Sequence, residues 1–304
     1  MDWVTAVQTA IDYIEEHLTE PMRYEAIAQQ GCASEFHFQR MFHILCGYTL
    51  GEYIRSRRLS QAAAELAAGH GRVVDIAAKY GYESPDSFAR AFQRFHGATP
   101  SQVRDNGVPP RQFAPLRIRM TVEGGCTLPC RVEEKQELLL TGYKRRFSGD
   151  RSNKQAQDHD FACETRVLQY LLEGISREHE ITYQVLTHFD ADGYDFYFAS
   201  QLPPWALAAF DEDLGEMARH FEHLRIPAGT YLVCETARCE FPTAQMDALR
   251  RTMVTDVLPR SGYLLRDAPE IGVIHWFFED GNDRVNTARY CELWLPIVKA
   301  DQVG

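Results

Sequence analysis

A stretch of this chain recurs fifty residues further on, and the recurrence restricts the fold more than any other feature. Gly31, Ser34, Phe38, Arg40, Phe42, Gly47 and Thr49 are answered by Gly81, Ser84, Phe88, Arg90, Phe92, Gly97 and Thr99. Ile27-Ala28 is answered by Ile76-Ala77, one residue closer, so the second turn region carries one extra residue. The shared positions are turn glycines, capping hydroxyls, core aromatics and one Arg, the set a duplicated supersecondary unit retains. Wound at about 100° per residue, Ser34 to Leu45 places Phe38, Met41, Phe42 and Leu45 on one side. Phe36, Gln39, Arg40 and His43 fall almost opposite. An aromatic ring, an amide and a guanidinium projecting together can contact thymine methyl, adenine and guanine edges in a major groove.

The ends of these segments carry matching chemistry. Tyr24 to Gln30 reads as a short helix ended by Gly31, so Gly31, Cys32 and Ala33 join two helices at helix-turn-helix spacing. Ser84 before Pro85 suits a helix start, and Gly47 and Gly97 suit the far ends of both longer helices. Thr49-x-x-Glu52 and Thr99-x-x-Gln102 read as capping boxes opening the next helices. Between the units, Leu50 to Ala67 reads as one long helix with Tyr53, Ile54, Leu59, Ala62 and Leu66 inward and Gly69 closing it. Ahead of them, Val4, Val7, Ile11, Ile14 and Leu18 predict an amphipathic helix over residues 3–18 that stops before Pro21.

Residues 8–104 resemble the tandem helix-turn-helix DNA-binding domain of the AraC/XylS family of bacterial transcription regulators. The resemblance rests on Ser34-x-Phe36-His37-x-Gln39-Arg40-Met41-Phe42, Tyr53-Ile54-Arg55-Ser56-Arg57, Ile76-Ala77-x-x-Tyr80-Gly81-Tyr82-Glu83-Ser84 and Phe92-x-x-Phe95-x-Gly97-x-Thr99-Pro100. It implies base contacts by Phe36, Gln39 and Arg40, with His43 on the same face. In the second reading helix Pro85 and Asp86 stand where related chains carry amides, which leaves Ser87 and Arg90 as readers. Arg94 and Arg55 add cations on or beside the reading helices. The implied partners are double-stranded DNA and RNA polymerase.

Charge opposes this reading in part. The formal net charge is -11, split as -3 over residues 1–108 and -8 over the remainder. Nucleic-acid modules are usually basic, so modest affinity and a shallow salt dependence are expected. The start of the chain is acidic and no apolar run approaches eighteen residues, so neither a signal peptide nor a membrane span is expected, and the location is cytoplasmic. Of eight cysteines, Cys126-x3-Cys130 and Cys234-x4-Cys239 are the close pairs, and neither is completed at zinc-ligand spacing. Free thiols, no metal and no cofactor are expected. His220-x-x-His223 and His159 lack a third ligand at suitable spacing.

Asp105 to Pro115 contains Asn106-Gly107 and Pro109-Pro110 and reads as a linker. Beyond it the texture alternates. Glu137 to Phe147, Ile181 to Phe189, Asp195 to Leu202, Gly229 to Thr236, Glu270 to Phe278 and Tyr290 to Val298 read as strands. Phe161 to Gly174 and Pro242 to Leu258 read as helices, while Glu133 to Glu137 reads as a solvated charged run. The expected organisation is an all-α tandem helix-turn-helix domain (1–105), a linker (106–115) and an α+β domain of two strand-helix-strand-strand modules (116–304).

The second half resembles the GyrI-like, or SHS2-type, small-molecule-binding domain, on Ile226-Pro227-Ala228-Gly229-Thr230-Tyr231, Leu258-Pro259-Arg260-Ser261-Gly262-Tyr263 and Cys291-Glu292-Leu293-Trp294-Leu295-Pro296-Ile297. With the first resemblance this makes the arrangement of the family's Rob-like members. Alternation in the last strand sets Tyr290, Glu292 and Trp294 on one face. A carboxylate between aromatics suits an apolar or cationic effector, with cation-π contact worth about 0.5 to 2 kcal/mol. Tyr143, Phe147, Tyr197, Trp205 and Trp276 are further candidates. Two alternatives stay open: a hydrolase in which Glu292 acts as base beside Tyr290 or Tyr197, and an interaction module that binds no ligand.

Overall fold

The computed structural model describes residues 3–118, 129–147, 161, 163–176, 180–276 and 287–302. Its helices begin and end on the capping residues of the repeat. In the first unit these are α1 (Trp3–Glu16), α2 (Tyr24–Gln30), α3 (Glu35–Cys46), α4 (Leu50–Ala67), α5 (Val73–Lys79), α6 (Pro85–His96) and α7 (Pro100–Asn106). Ser34 and Ser84 accept hydrogen bonds from the backbone N–H groups of His37 and Ser87. Thr49 with Glu52 and Thr99 with Gln102 form complete capping boxes that open α4 and α7. Gly47 and Gly97 end α3 and α6 in left-handed backbone at φ 75° and 77°.

Helix α4 is the spine of this unit. Its Tyr53 packs on Phe42 of α3, with ring centroids 5.7 Å apart. One to four turns further on, Leu59, Ala62, Ala63 and Leu66 join Ile76, Ala77, Tyr80, Phe88, Phe92, Ala98 and Val103 in the core of the second helix pair. His96 at the end of α6 is buried, packs at a tilt against Phe92 with ring centroids 4.2 Å apart and, as the Nε2–H tautomer, donates to the Leu59 carbonyl at 3.1 Å. Burial holds its imidazole below the ordinary range.

The chain after α7 lies along this unit instead of running free. Arg57, buried on α4, pairs with Glu15 of α1 at 2.7 Å and also donates to the Phe113 carbonyl. The Phe113 N–H donates to Ser60 Oγ at 3.0 Å, and the Ile118 N–H donates to Gln8 Oε1 at 2.9 Å. Phe113 itself packs edge-on against Tyr48 and Tyr53. The proline-rich composition predicted a linker. Because Pro109 and Pro110 withhold N–H groups, the strap is fixed by the donors that follow them.

The second unit, Val122–Gly304, contains β1 (Cys130–Lys135), β2 (Leu138–Phe147), α8 (Arg166–Ser176), β3 (Ile181–Thr187), β4 (Tyr194–Ser200), α9 (Pro204–Leu214), β5 (Glu222–Ile226), β6 (Gly229–Glu235), α10 (Met246–Thr252), α11 (Leu258–Ser261), β7 (Tyr263–Leu265), β8 (Glu270–His275) and β9 (Tyr290–Lys299). The antiparallel order is β1-β6-β9-β8-β3-β4-β2-β5, with β7 on the far half of β9. The expected module is present twice, as β2-α8-β3-β4 and β6-α10-β8-β9. Between α10 and α11 a π-helical turn, Met253–Val257, interrupts the helix predicted over residues 242–258.

The connections force this sheet to curl. Lys135 and Leu138 are separated by two residues, so their Cα atoms are at most about 11 Å apart. In a flat sheet β1 and β2, six places apart in the order, would be about 29 Å apart. The same holds for β5 and β6, joined through Pro227 and Ala228. The ends of the sheet therefore approach each other. Leu140, Tyr183, Val185, Tyr197, Ile226, Tyr231, Val233, Ile271, Val273 and Trp294 form one buried cluster on its inner face.

In the second unit β1, β5, β7 and α9 went unpredicted, and one thiol expectation is corrected. Strands β1 and β5 are too charged to read as strands, so the run Glu133 to Lys135 expected to be merely solvated is part of β1; β7 is only three residues long, and α9 opens on Pro203-Pro204. Cys130 and Cys234, opposite each other on β1 and β6, form a disulfide. A bridge spanning 104 residues stabilises by about 4 to 5 kcal/mol in the chain-entropy account. Cys126 and His159 lie outside the described residues.

Two outcomes follow. Arg57→Ala leaves Glu15 without its buried partner and should cost about 3 kcal/mol, read as a lower thermal midpoint, with faster proteolysis in the Phe113 strap. Neutral His96 contributes stability that is complete above its unfolded value of about 6.5. That contribution falls as pH drops from there towards the depressed folded-state value. His96→Leu should flatten this part of the stability-versus-pH curve.

Candidate nucleic-acid interface and effector site

The two reading helices present different surfaces. On α6, Phe88 and Phe92 are buried while Arg90 and Arg94 are exposed on the other side. The Ser87 hydroxyl donates to the Ser84 carbonyl at 2.8 Å, so it serves the cap. On α3, Phe36 and His43 are half-buried, whereas Gln39 is 6 % and Arg40 is 0 % exposed. This departs from the outward face expected of them. Burial runs through Phe38, Gln39, Arg40, Met41, Phe42, Ile44 and Cys46, more of the helix circumference than one apolar side. Gln39 also folds back along the helix, its amide donating to Glu35 at 2.9 Å. Of the neighbouring arginines on α4, Arg55 is exposed, while Arg57 is committed to Glu15 and Arg58 to the carbonyls of Leu18 and Glu20.

In the second unit the register shows which candidates share a face. Trp294 lies opposite Ile271, Ile271 opposite Val185, and Val185 opposite Tyr197. Glu292 lies opposite Val273 and Glu235, and Tyr290 opposite His275. Tyr290, Glu292, Trp294 and Tyr197 therefore belong to the inner face. Tyr143, opposite Phe198, and Phe147, opposite Tyr194, lie on the outer face, where both pack against Phe161. Trp276 is on that side too, its indole N–H donating to Thr182 at 3.1 Å. Those three are structural aromatics, separated from Glu292 by the sheet itself. Trp205 lines a separate cleft of about 250 Å³ between α8 and α9, with Gly174, Ile175, Phe210 and Asp213. His223 bonds Thr141 at 2.9 Å.

Glu292 is buried and doubly engaged. Trp294 Nε1 donates to one oxygen at 2.7 Å and Arg131 to the other at 2.9 Å. Arg131 also reaches Glu235 at 2.7 Å and contacts Glu133. Lys135 pairs with Glu133 and sets its Nζ 3.9 Å from the Trp294 ring centroid. Bonds from Lys135 and then Arg131 hold the Glu133 carboxyl below the usual range. Further round the inner face, burial and then the 3.0 Å bond to Glu222 push the Tyr197 phenol up to about 12. Sequence reading missed Arg131 and Lys135. The available signal was the two-residue alternation of Arg131, Glu133 and Lys135, which puts all three on one face of a strand.

Two helix-turn-helix units on one central helix, each with a capped reading helix, define a DNA-binding transcription regulator rather than an enzyme. A family model described as a helix-turn-helix domain matches residues 27–106. Regulatory protein SoxS of Salmonella typhimurium (strain LT2) is 42% identical over 98 residues, 32% of this chain and 92% of that protein. The chain belongs to the AraC/XylS family of helix-turn-helix regulators. Right origin-binding protein of Escherichia coli (strain K12) is 29% identical over 224 residues, 64% of this chain and 73% of that protein, so its match runs past the DNA-binding half. A solved structure of SAV2435 bound to tetraphenylphosphonium aligns at 12% identity and TM-score 0.41, covering 57% of this chain and 96% of that one. Among the described residues no helix is long and apolar enough to cross a membrane.

The hydrogen bond between Trp294 and Glu292 is open to direct test. Trp294→Phe should cost about 2 kcal/mol, the range for a buried bond to a charge. In a Glu292→Gln background the same change should cost less, and the difference, read from denaturant melts, is the coupling between the two.

Proposed function

We propose that this protein binds an asymmetric DNA site of about 20 base pairs through α3 and α6, placed in successive major-groove faces about 34 Å apart. The observation that carries this reading is the repeated frame. Ser34 and Ser84 start the two helices, left-handed Gly47 and Gly97 end them, and α4 holds both. On α6, Arg90 reads a base and Arg94 supplies phosphate contact, while Arg55 neutralises phosphate from α4. On α3 the readers are Phe36, Gln39, Arg40 and His43, and Arg40 and Gln39 must leave their enclosed positions to reach a base. The second unit takes an apolar or cationic effector at the Tyr290, Glu292, Trp294 and Tyr197 face. Effector binding shifts DNA affinity or contact with RNA polymerase, and that coupling is reciprocal in binding free energy. The protein acts in the cytoplasm.

Selection of duplexes from a random pool by the full-length protein, at two salt concentrations, tests the DNA reading. Arg40→Ala and Arg90→Ala should each cost about 1 to 3 kcal/mol and relax preference at one base in different halves of the site. Arg94→Ala should weaken all sequences alike and make the salt dependence shallower. Unchanged affinity and base preference in both Arg40→Ala and Arg90→Ala would overturn the assignment of the reading helices.

A further inference from the structure

Strand β1 already supplies what a cationic effector would bring to the Glu292 face. An organic-cation receptor needs a buried carboxylate and an aromatic surface beside it. Here the carboxylate of Glu292 holds the guanidinium of Arg131 at 2.9 Å, and the ring of Trp294 holds the ammonium of Lys135 at 3.9 Å. Both cations come from the same strand. That strand is at the end of the sheet, paired through its length with β6. Its removal breaks one ladder and leaves the β6-β9-β8 ladders intact. On the opposite side of the strand, one residue from Arg131, the Cys130–Cys234 disulfide ties β1 to β6.

Resting on the effector reading above, we propose that β1 is an internal occupant of the effector site, displaced when an aromatic monocation binds, and that the disulfide controls the displacement. The ligand lays its ring on Trp294 and its charge beside Glu292, replacing Lys135 and Arg131; Glu133, on β1, leaves with those cations, while Glu235, on β6, stays beside Glu292. With the bridge intact, β1 is pinned and the receptive state is scarcely populated, which weakens apparent affinity by that fraction. A dithiol reductant delivers two electrons and two protons, converting the bridge to two thiols and itself becoming a disulfide. The strand then leaves β6 at the cost of its ladder and of the Arg131–Glu235 and Thr230–Glu134 bonds between the two strands.

Fluorescence anisotropy of rhodamine 6G, a planar aromatic monocation, titrated with the full-length oxidised protein tests this without DNA. Dithiothreitol, or Cys130→Ser without it, should tighten binding about fivefold or more, and Arg131→Gln with Lys135→Gln about tenfold or more. Glutamine at both positions keeps strand-compatible polar side chains, and circular dichroism melts confirm folding. Adding Glu292→Gln to that pair should abolish the gain. Equal, measurable affinity in wild type and the Arg131→Gln, Lys135→Gln protein would overturn the internal occupant while leaving the effector site standing. A gain in that variant with none on reduction or in Cys130→Ser would overturn the control by the disulfide. No binding by any member of the series would overturn the effector reading and this proposal together.

Discussion

Burial of α4 by two successive helix pairs is the constraint on which the DNA-binding unit depends. A pair of short helices cannot bury enough surface to hold a seven-residue helix such as α2 or α5 in place. Sharing a spine solves this, because Tyr53 packs on Phe42 of one pair while Leu59, Ala62 and Leu66 serve the other. The spacing of the reading helices then becomes a property of one rigid rod. Glu15, Arg57 and the Phe113 strap extend the same economy to α1 and the chain that leaves the unit.

The second unit uses charge where the first uses apolar contact. Its curled sheet encloses an aromatic and aliphatic interior, and at β1 that interior meets Arg131, Glu133, Lys135, Glu235 and Glu292. A carboxylate at such a place is tolerable only with partners, and Glu292 has an indole N–H and a guanidinium. The positive charges these groups accept are supplied from within the chain, Arg131 at Glu292 and Lys135 at the Trp294 ring.

The fold was legible where local chemistry decides it. Caps, left-handed glycines and the apolar stripe of α4 are short-range features, and the helices start and stop where these predict. The strand-helix-strand-strand modules were legible for the same reason, since β2, β3, β4, β6, β8 and β9 carry alternating apolar residues. Strands β1 and β5 were not, because their place is set by partners far along the chain and their own residues are mostly charged. In the site, Glu292 and Trp294 were readable from alternation within β9. Which of Tyr197, Tyr143, Phe147 and Trp276 share their face depends on register across four strands, which a single sequence does not encode locally. The enclosure of Arg40 escaped the helical-wheel reading because the wheel describes one buried side, and α3 is buried on more than one.

The two-residue joins at Gln136-Glu137 and Pro227-Ala228 make the two modules exchange edges, with β1 capping the second and β5 the first. During synthesis this imposes an order of events. The helical unit closes from neighbouring segments as it leaves the ribosome, whereas Cys130 must await Cys234, 104 residues later. Until β6 emerges, β1 has no ladder, Glu292 has not been made, and the arginine and lysine that will meet it remain in water. The nascent chain thus carries a finished DNA-binding module for a period in which its strand-rich second unit does not yet exist.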